Sequence, residues 1–557
     1  MRITYALTLI TAVATLAACD NPYNPDAPAI DPAAPVVHIT SPARGTFAGA
    51  GKTVVVTGTA TDDSGAVASV TVNDVAAVVN GDGTFAATVP VTPGTNLLHA
   101  VATDAGGNVG KESRAVVAGA LTSLDRSIPS ALTMSMSAQT FDAIGRGAAG
   151  YIQSANLTAL VQPMNPVLDL GTTNGQPDCL YAQAIVTSVA VGRSTIGLAP
   201  HAGGLELDAV LESVRIGMHL QYAASCVDGS RDVVVAASKV HVAGNLAIGV
   251  GFDGFDIKLV NPDVTLTNFN VNLGGVPGAI VDMLSLDTRM APIIGWATER
   301  FVAPMLNKSF ASLNQTKTVS VLGHAVDVTV TPAAIDFDVT GAVVQVDTTL
   351  RAHGDEQAAG FVFVPNAVPA MNRAQGFQLA VADDAANQLL TSLWAAHGMD
   401  AKLDLKTGSY GEIGTLYDRV EIAAAVPPYV DASGSKLVLT IGDLGATFMN
   451  GESVATKVVL NAQLALEVNA DPTTGALRLD VGTPTTYVDV LDESVDGANE
   501  LSNAQFESIA SFAVSRAVAF GSGAVGAIPL PAAGGVALKD VSVTQQTGYL
   551  VVGGRVE

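Results

Sequence analysis

The sequence predicts an α+β protein that is mostly strand, and three observations carry that prediction. Of 557 residues, 48% are hydrophobic and 14% charged, but only 5% are aromatic. The apolar surface therefore comes from small side chains in short alternating runs, which suit a pleated sheet. From Val36 to about Gly119 such runs recur between turn signals every ten or so residues, the signature of an all-β sandwich. From Leu121 onward the order helix, strands, long helix, terminal strands occurs twice, which reads as two related domains rather than a short-period solenoid. At about 150 residues per domain, the length predicts three to four domains.

The chain opens with "MRITYALTLITAVATLAAC". One Arg, an apolar stretch and then Leu16-Ala17-Ala18-Cys19 resemble a bacterial lipoprotein signal. On that reading residues 1–18 are removed and Cys19 is acylated, for example by palmitate. The alternative is an uncleaved apolar helix with a chance Cys. No later stretch reaches the ~18–20 apolar residues of a membrane span, so the expectation is an exported protein lipid-anchored to the outer membrane or the periplasmic face of a bacterial membrane. Residues 19–35 add "DNPYNPDAPAIDPAAP", a Pro-rich tether with little to bury. With Cys19 lipidated, Cys179 and Cys226 remain as one pair in an oxidising setting; two independent buried thiols are the other reading.

Residues 36–119 carry the sandwich. "ITSP", "NGDGTF", "PGTN" and "ATDAGGN" resemble bacterial immunoglobulin-like modules of the glucodextranase domain B kind. Such a module is expected to be a spacer or an adhesive unit, with a protein or glycan as its partner. Asp62, Asp63, Asp104 and Asn108 have the chemistry for calcium where turns converge, and equally the chemistry of Asx turns. No Cys/His cluster has zinc spacing, and neither a metal site nor a cofactor is assigned.

The first unit is placed at residues 120–353. Phe141, Ile144, Ala148, Ile152, Ala155 and Ala159 fall at the 3,4 spacing of one helix face. Strand-like runs follow from Cys179 to Asn272. The longest helical pattern then runs from Gly278 to about Leu313, with Met283, Met290, Ile294, Ala297, Phe301 and Met305 on one stripe and Pro292 and Pro304 as kinks. In "HAVDVTVTPAAIDFDVTGAVVQVDTTLRA", Ile335, Phe337 and Val339 alternate with Asp336, Asp338 and Thr340, giving one buried and one wet face. Residues 354–376, with Pro365 and Pro369, read as a crossover.

The second unit, residues 377–557, repeats that order. "ADDAANQLLTSLWAAHGM" predicts a helix with Asp383 or Asp384 near its cap, Leu389, Leu390, Leu393 and Trp394 on its apolar side, and Gly398 at its end. Leu464, Leu466 and Val468 are expected to pair with Leu477, Leu479 and Val481 across "NADPTTG". Ser502 and Gln505 form a capping-box pattern opening a helix with Phe506, Ile509, Ala513, Ala517 and Phe520 on one stripe. "IPLPAAGGVALKDVSVTQQTGYLVVGG" then closes the unit as a Pro-bounded stop and two strands joined by a Gly-containing turn.

Three stretches carry a further resemblance: "GFQLAVADDAANQLLTSLWAAHGM", "VPPYVDASGSKLVLTIGDLGATF" and "FAVSRAVAFGSGAVGAIPLPAAGGVALKDVSVTQQTGYLVVGG". From Leu121 to Glu557 the chain resembles the tubular lipid-binding superfamily, in particular the family of bactericidal permeability-increasing protein, lipopolysaccharide-binding protein and the plasma lipid-transfer proteins. The resemblance implies two barrels, each a twisted antiparallel sheet wrapped round a long helix, joined by a central sheet. It also implies apolar pockets for acyl chains or other hydrophobic small molecules, and it places Cys179 and Cys226 where a first-barrel disulfide is expected. Cavity-lining residues on this reading are Phe141, Ile144, Ile152, Met290, Ile294, Phe301 and Met305 in the first barrel. In the second they are Leu389, Leu393, Trp394, Phe506, Ile509 and Phe512. Helical stripes of this kind serve a packed core as well as a lipid cavity, and periodicity does not separate the two.

The formal net charge of −24 repels nucleic acid and anionic head groups. The first barrel lacks the basic cluster that would recognise lipopolysaccharide by charge, so a neutral or weakly charged lipid fits better. No G-x-S-x-G elbow, H-E-x-x-H helix, P-loop or Rossmann fingerprint occurs, and the eight His are scattered. Counting carboxylates does not decide for or against a glycosidase pair. The expected function is therefore lipid binding without catalysis, with lipid transfer as an extension. A structural or adhesive surface lipoprotein is the competing class.

Overall fold

The computed structural model describes residues 33–63, 65, 67–171, 180–251, 254–285, 313–406, 413–470, 477–493 and 538–556. The tether, most of the two long helical patterns and the leader lie outside them. The first residues form a sandwich of a four-stranded and a five-stranded sheet. Alternation along Thr84–Pro90 sends Phe85, Ala87 and Val89 inward, where they meet Ile39, Val56, Leu98 and Val116.

Beyond residue 120 the chain builds two curled sheets and a central sheet. The central sheet runs in the order Gln315–Val321, His324–Asp338, Gly341–Ala352, Ile128–Ser137, Phe377–Ala382, Tyr549–Val556, Leu538–Gln546, antiparallel throughout. Its middle pair, Ile128–Ser137 and Phe377–Ala382, brings the openings of the two units together, with Leu132 opposite Val381 and Met136 opposite Phe377. Each opening strand leads directly into a helix, α1 (Ala138–Ser154) and, after the short α2 (Leu157–Val161) and α3 (Gly278–Leu284), α4 (Asp383–Ala395). Each unit also returns to the central sheet, the first as three consecutive strands and the second as a closing hairpin. The terminal strands therefore complete a sheet shared by both units, with Gln546 and Tyr549 flanking the turn at Gly548, whose φ is +74°.

The curled sheets have the same connectivity. Five strands form the main path of the first, Leu168–Gly171, Tyr181–Ala190, Gly204–Ala224, Val227–Gly251 and Gly254–Thr267, with Arg193–His201 and Asn270–Val271 attached to its third and fourth members. The second repeats this with Ala401–Asp404, Arg419–Ala424, Leu437–Asn450, Ser453–Ala470 and Leu477–Val481, plus Tyr429–Asp431 and Thr485–Glu493 at the equivalent places. Leu466 and Val468 lie opposite Val481 and Leu479, and Ala470 opposite Leu477, so the expected strands pair in a register two residues further on, which leaves Leu464 beyond the pairing. Val227–Gly251 has 25 residues and would extend roughly 80 Å if flat. Strand twist and bulges, one between Ala243 and Asn245, coil it so that one face turns inward.

Ser137 caps α1 through Thr140. The helix lies so close to Arg193–His201 that a Cβ at Gly145 would collide with the Ile196 carbonyl. Phe141 sits in a core shared by α1, the first curled sheet and the central sheet, its ring 5.9 Å from Phe337.

The N-terminal module is seated on the second curled sheet. Ala115 and Val117 pack with Val362 and Val426, while Val116 between them faces the module's own core. A Cβ at Gly442 would run into Ala115, and one at Gly94 into the Tyr429 ring. The Thr95 hydroxyl donates to the Pro427 carbonyl at 2.9 Å, and the rings of His99 and Tyr487 stand 4.2 Å apart. Where alternation alone leaves the outer face of this sheet to water, the module covers Asn461 and Asp489.

Candidate functional site

Two kinds of surface emerge from this architecture. The first is the inner face of each curled sheet. On Leu437–Asn450, Leu437, Leu439 and Ile441 point inward; the register then shifts, and Leu444 and Ala446 resume the same face. All five are half-buried, packed against Val458, Leu460, Ala462 and Leu464. The bulge residues Gly442 and Asp443 turn outward to the module. In the first sheet Leu211, Ile216, Val264 and Leu266 hold comparable half-buried positions around the core that contains Phe141.

Of the sequence-predicted lining residues, Phe141 and Ile144 lie in or against that core, and Ile152 is half-buried further along α1. Leu393 is 1% exposed and packs with Val326, Ala352 and Leu389. Trp394 donates its indole N–H to the Ala424 carbonyl at 2.8 Å and stands 6.3 Å from the Phe47 ring of the module. Met290, Ile294, Phe301, Met305, Phe506, Ile509 and Phe512 fall outside the described residues, as do Cys19 and Cys179. Cys226 occupies the turn between Gly204–Ala224 and Val227–Gly251.

The second surface surrounds α4, whose buried side is largely polar: Asp384, Asn387, Gln388, Thr391 and Ser392. Four of the five bond to neighbouring strands and loops. Asn387 accepts from the Val430 N–H at 2.7 Å and donates to its carbonyl at 2.8 Å. Gln388 accepts from the Leu350 N–H and donates to the carbonyls of Leu124 and Arg126. Ser392 accepts from the Ala352 N–H and donates to Asp355. Asp383 accepts from the Ala432 N–H and Asp384 from the Val364 N–H. Apolar spacing directed attention to Leu389, Leu390, Leu393 and Trp394; the "DDAANQ" run was the signal for a buried polar helix, because so polar a face is costly to bury unless every group is bonded.

Burial drives the electrostatics here. It pushes Asp383 up to about 6 and Asp384 up to about 7 against backbone bonds that favour the ionised forms, and it raises Tyr429. Beside Asp384 lies a cavity of about 170 Å³ under the Phe363–Asn366 segment.

At the module interface, Arg44 reaches Asp443 at 2.6 Å, Asp489 and Glu112 at 3.3 Å, and the Ser113 carbonyl at 2.8 Å. Burial pushes Asp489 up to about 7, against the pull of Arg44. In the module's own turns, Asp104 accepts from the Asn108 backbone and side chain, each at 2.8 Å, which closes the turn through Gly106 and Gly107. Among the described residues no three His, Cys, Asp or Glu side chains cluster as a metal site, and no helix is long and apolar enough to cross a membrane.

Residues 35–119 match the family model for glucodextranase, domain B. No curated protein matches the chain. Among solved structures, lipopolysaccharide binding protein is similar at 11% identity, with 77% of this chain and 98% of that one covered and a TM-score of 0.36. P47 of Clostridium botulinum E1 shows 9% identity, 76% and 98% coverage and a TM-score of 0.23. P47 from Clostridium botulinum A2 shows 9%, 76% and 96%, with a TM-score of 0.24. Scores of this size do not establish a shared fold; the two-unit architecture rests on the strand order and its duplication.

Proposed function

We propose that this chain is a bacterial membrane-anchored lipoprotein that holds lipids or other hydrophobic molecules against the inner faces of its two curled sheets, and carries them across an aqueous compartment. The observation that carries the reading is the inward row Leu437, Leu439, Ile441, Leu444 and Ala446, apolar throughout and only half-buried. A finished core reduces such side chains to a few per cent exposure; a row left partly open suits an apolar ligand. The same face occurs in both units because the sheets are duplicated. Acylation of Cys19 and a Cys179–Cys226 disulfide belong to this proposal, as does an outer-membrane or periplasmic location. The role is binding, with no catalytic step assigned. Uptake of a fluorescent fatty acid or sterol by the purified protein tests it. Saturable uptake is expected, and Leu439→Asp, which places a charge on the inner face, should weaken it at least tenfold. Uptake that is absent, or unchanged in the variant, would remove the reading.

A further inference from the structure

The cavity of about 170 Å³ beside α4 is too small for a lipid chain bundle, since pockets that bury drug-sized molecules run to roughly 300–1,000 Å³. Its walls are apolar, with Ile128, Pro129, Phe363, Pro365 and Ala382, and its polar groups are of opposite sign. Asp384 is 4% exposed; one carboxylate oxygen accepts from the Val364 N–H at 3.0 Å, and the side chain pairs with no cation among the described residues. Tyr549, 3% exposed, also lines the cavity, and its hydroxyl has no hydrogen-bond partner among the described residues. Arg126 also lines the cavity; its guanidinium rests over the Phe363 ring, 4.9 Å from the centroid, and pairs with no carboxylate among the described residues.

A buried carboxylate and a guanidinium on one small cavity ordinarily form an ion pair; here both line the cavity and no ion pair joins them. We infer that this cavity is a binding site for a small zwitterion, whose protonated amine is received by Asp384 and Tyr549 and whose carboxylate or phosphate is received by Arg126. The requirement for an N–H on the cation follows from the receiving groups, which accept hydrogen bonds and provide no aromatic cage. Free amino acids and a phosphoethanolamine headgroup share this chemistry. The site is separate from the inner faces of the curled sheets, so it stands or falls independently of lipid uptake there.

Calorimetric titration of the protein from Asp20 onward separates the sources, with leucine, glycerophosphoethanolamine and glycerophosphocholine as probes. Saturable binding of leucine or of glycerophosphoethanolamine is expected, and the one that binds identifies the source. Glycerophosphocholine, which lacks an N–H, should bind at least tenfold more weakly. Asp384→Asn keeps the bond from Val364 and removes the charge; Arg126→Gln changes an exposed side chain. Each should weaken binding at least tenfold. The inference is overturned if neither amine-bearing probe binds at millimolar concentration, or if the affinity survives unchanged in Arg126→Gln.

Discussion

Replacing Arg44 with Met tests whether the module is fastened to the second curled sheet by buried charge. The Met stem retains most of the packing while the guanidinium is lost. The Arg44 side chain is 16% exposed, and its partners Asp443 and Asp489 are 0% and 9% exposed, so water cannot take its place. Loss of one member of a buried ion pair costs about 3–5 kcal/mol, because the abandoned charge stays buried. One Asp443 oxygen already lacks a hydrogen-bond partner among the described residues, which leaves little to soften the loss. Urea unfolding followed by Trp394 fluorescence, with Trp296→Phe in every variant so that one indole emits, is a suitable assay, since the Trp394 indole lies 6.3 Å from Phe47 across the interface. Arg44→Met should lose about 3–5 kcal/mol in the wild-type background. With Asp443→Asn, Asp489→Asn and Glu112→Gln already present, so that all three carboxylate partners are neutral, the same change should cost about 1 kcal/mol, the net value of the hydrogen bonds that remain. A loss under about 1 kcal/mol in the wild type, or an equal loss in both backgrounds, would refute the argument.

Stability should fall as pH rises. Asp384 and Asp489 are each pushed to about 7 from 3.8, so the folded state binds protons more tightly than the unfolded one. Their contribution is therefore fully present below about pH 4, declines between about 4 and 7, and is absent above. The thermal midpoint should be higher at pH 5 than at pH 8, with the gap narrowed by Asp489→Asn; a midpoint that climbs over this range contradicts the burial argument. Gly442→Ala places a methyl against Ala115 and should lift the module, speeding proteolytic cleavage near Gly119 at least tenfold; wild-type resistance would show that the contact is dispensable. Asn387→Leu strands the N–H and carbonyl of Val430, each worth about 1–3 kcal/mol when buried and unpaired, so chemical denaturation should register a loss of about 3 kcal/mol or more.

Much of the architecture was legible because alternation and helical spacing are local. The sandwich, the helix at "ADDAANQ" and the closing strands are found where their patterns place them; the helix after Ser137 stops at Ser154, short of Ala155 and Ala159, and the pairing near Leu466 is shifted by two residues. Pairings between distant strands were not legible. Nothing in Ile128–Ser137 says that it meets Phe377–Ala382, since that register depends on two units folding face to face. The seating of the module was hidden for a related reason. Glu112 and Arg114 bond within the module, to Ile39, Arg44 and Pro42, but Ser113 and Arg44 also meet Asp489 and Asp443, which arrive from more than 300 residues away. The polar side of α4 escaped apolar-stripe reasoning because its partners are backbone groups, which leave no trace in composition.

The most direct measurement of the central claim is native mass spectrometry, followed by organic extraction, of the detergent-free protein from Asp20 onward. The module must be retained, since its removal would expose the buried face around Asp443 and Asp489. One or two lipid molecules per chain, lost in Leu439→Asp, is the predicted result. Bare protein that also takes up no fluorescent fatty acid or sterol would contradict it.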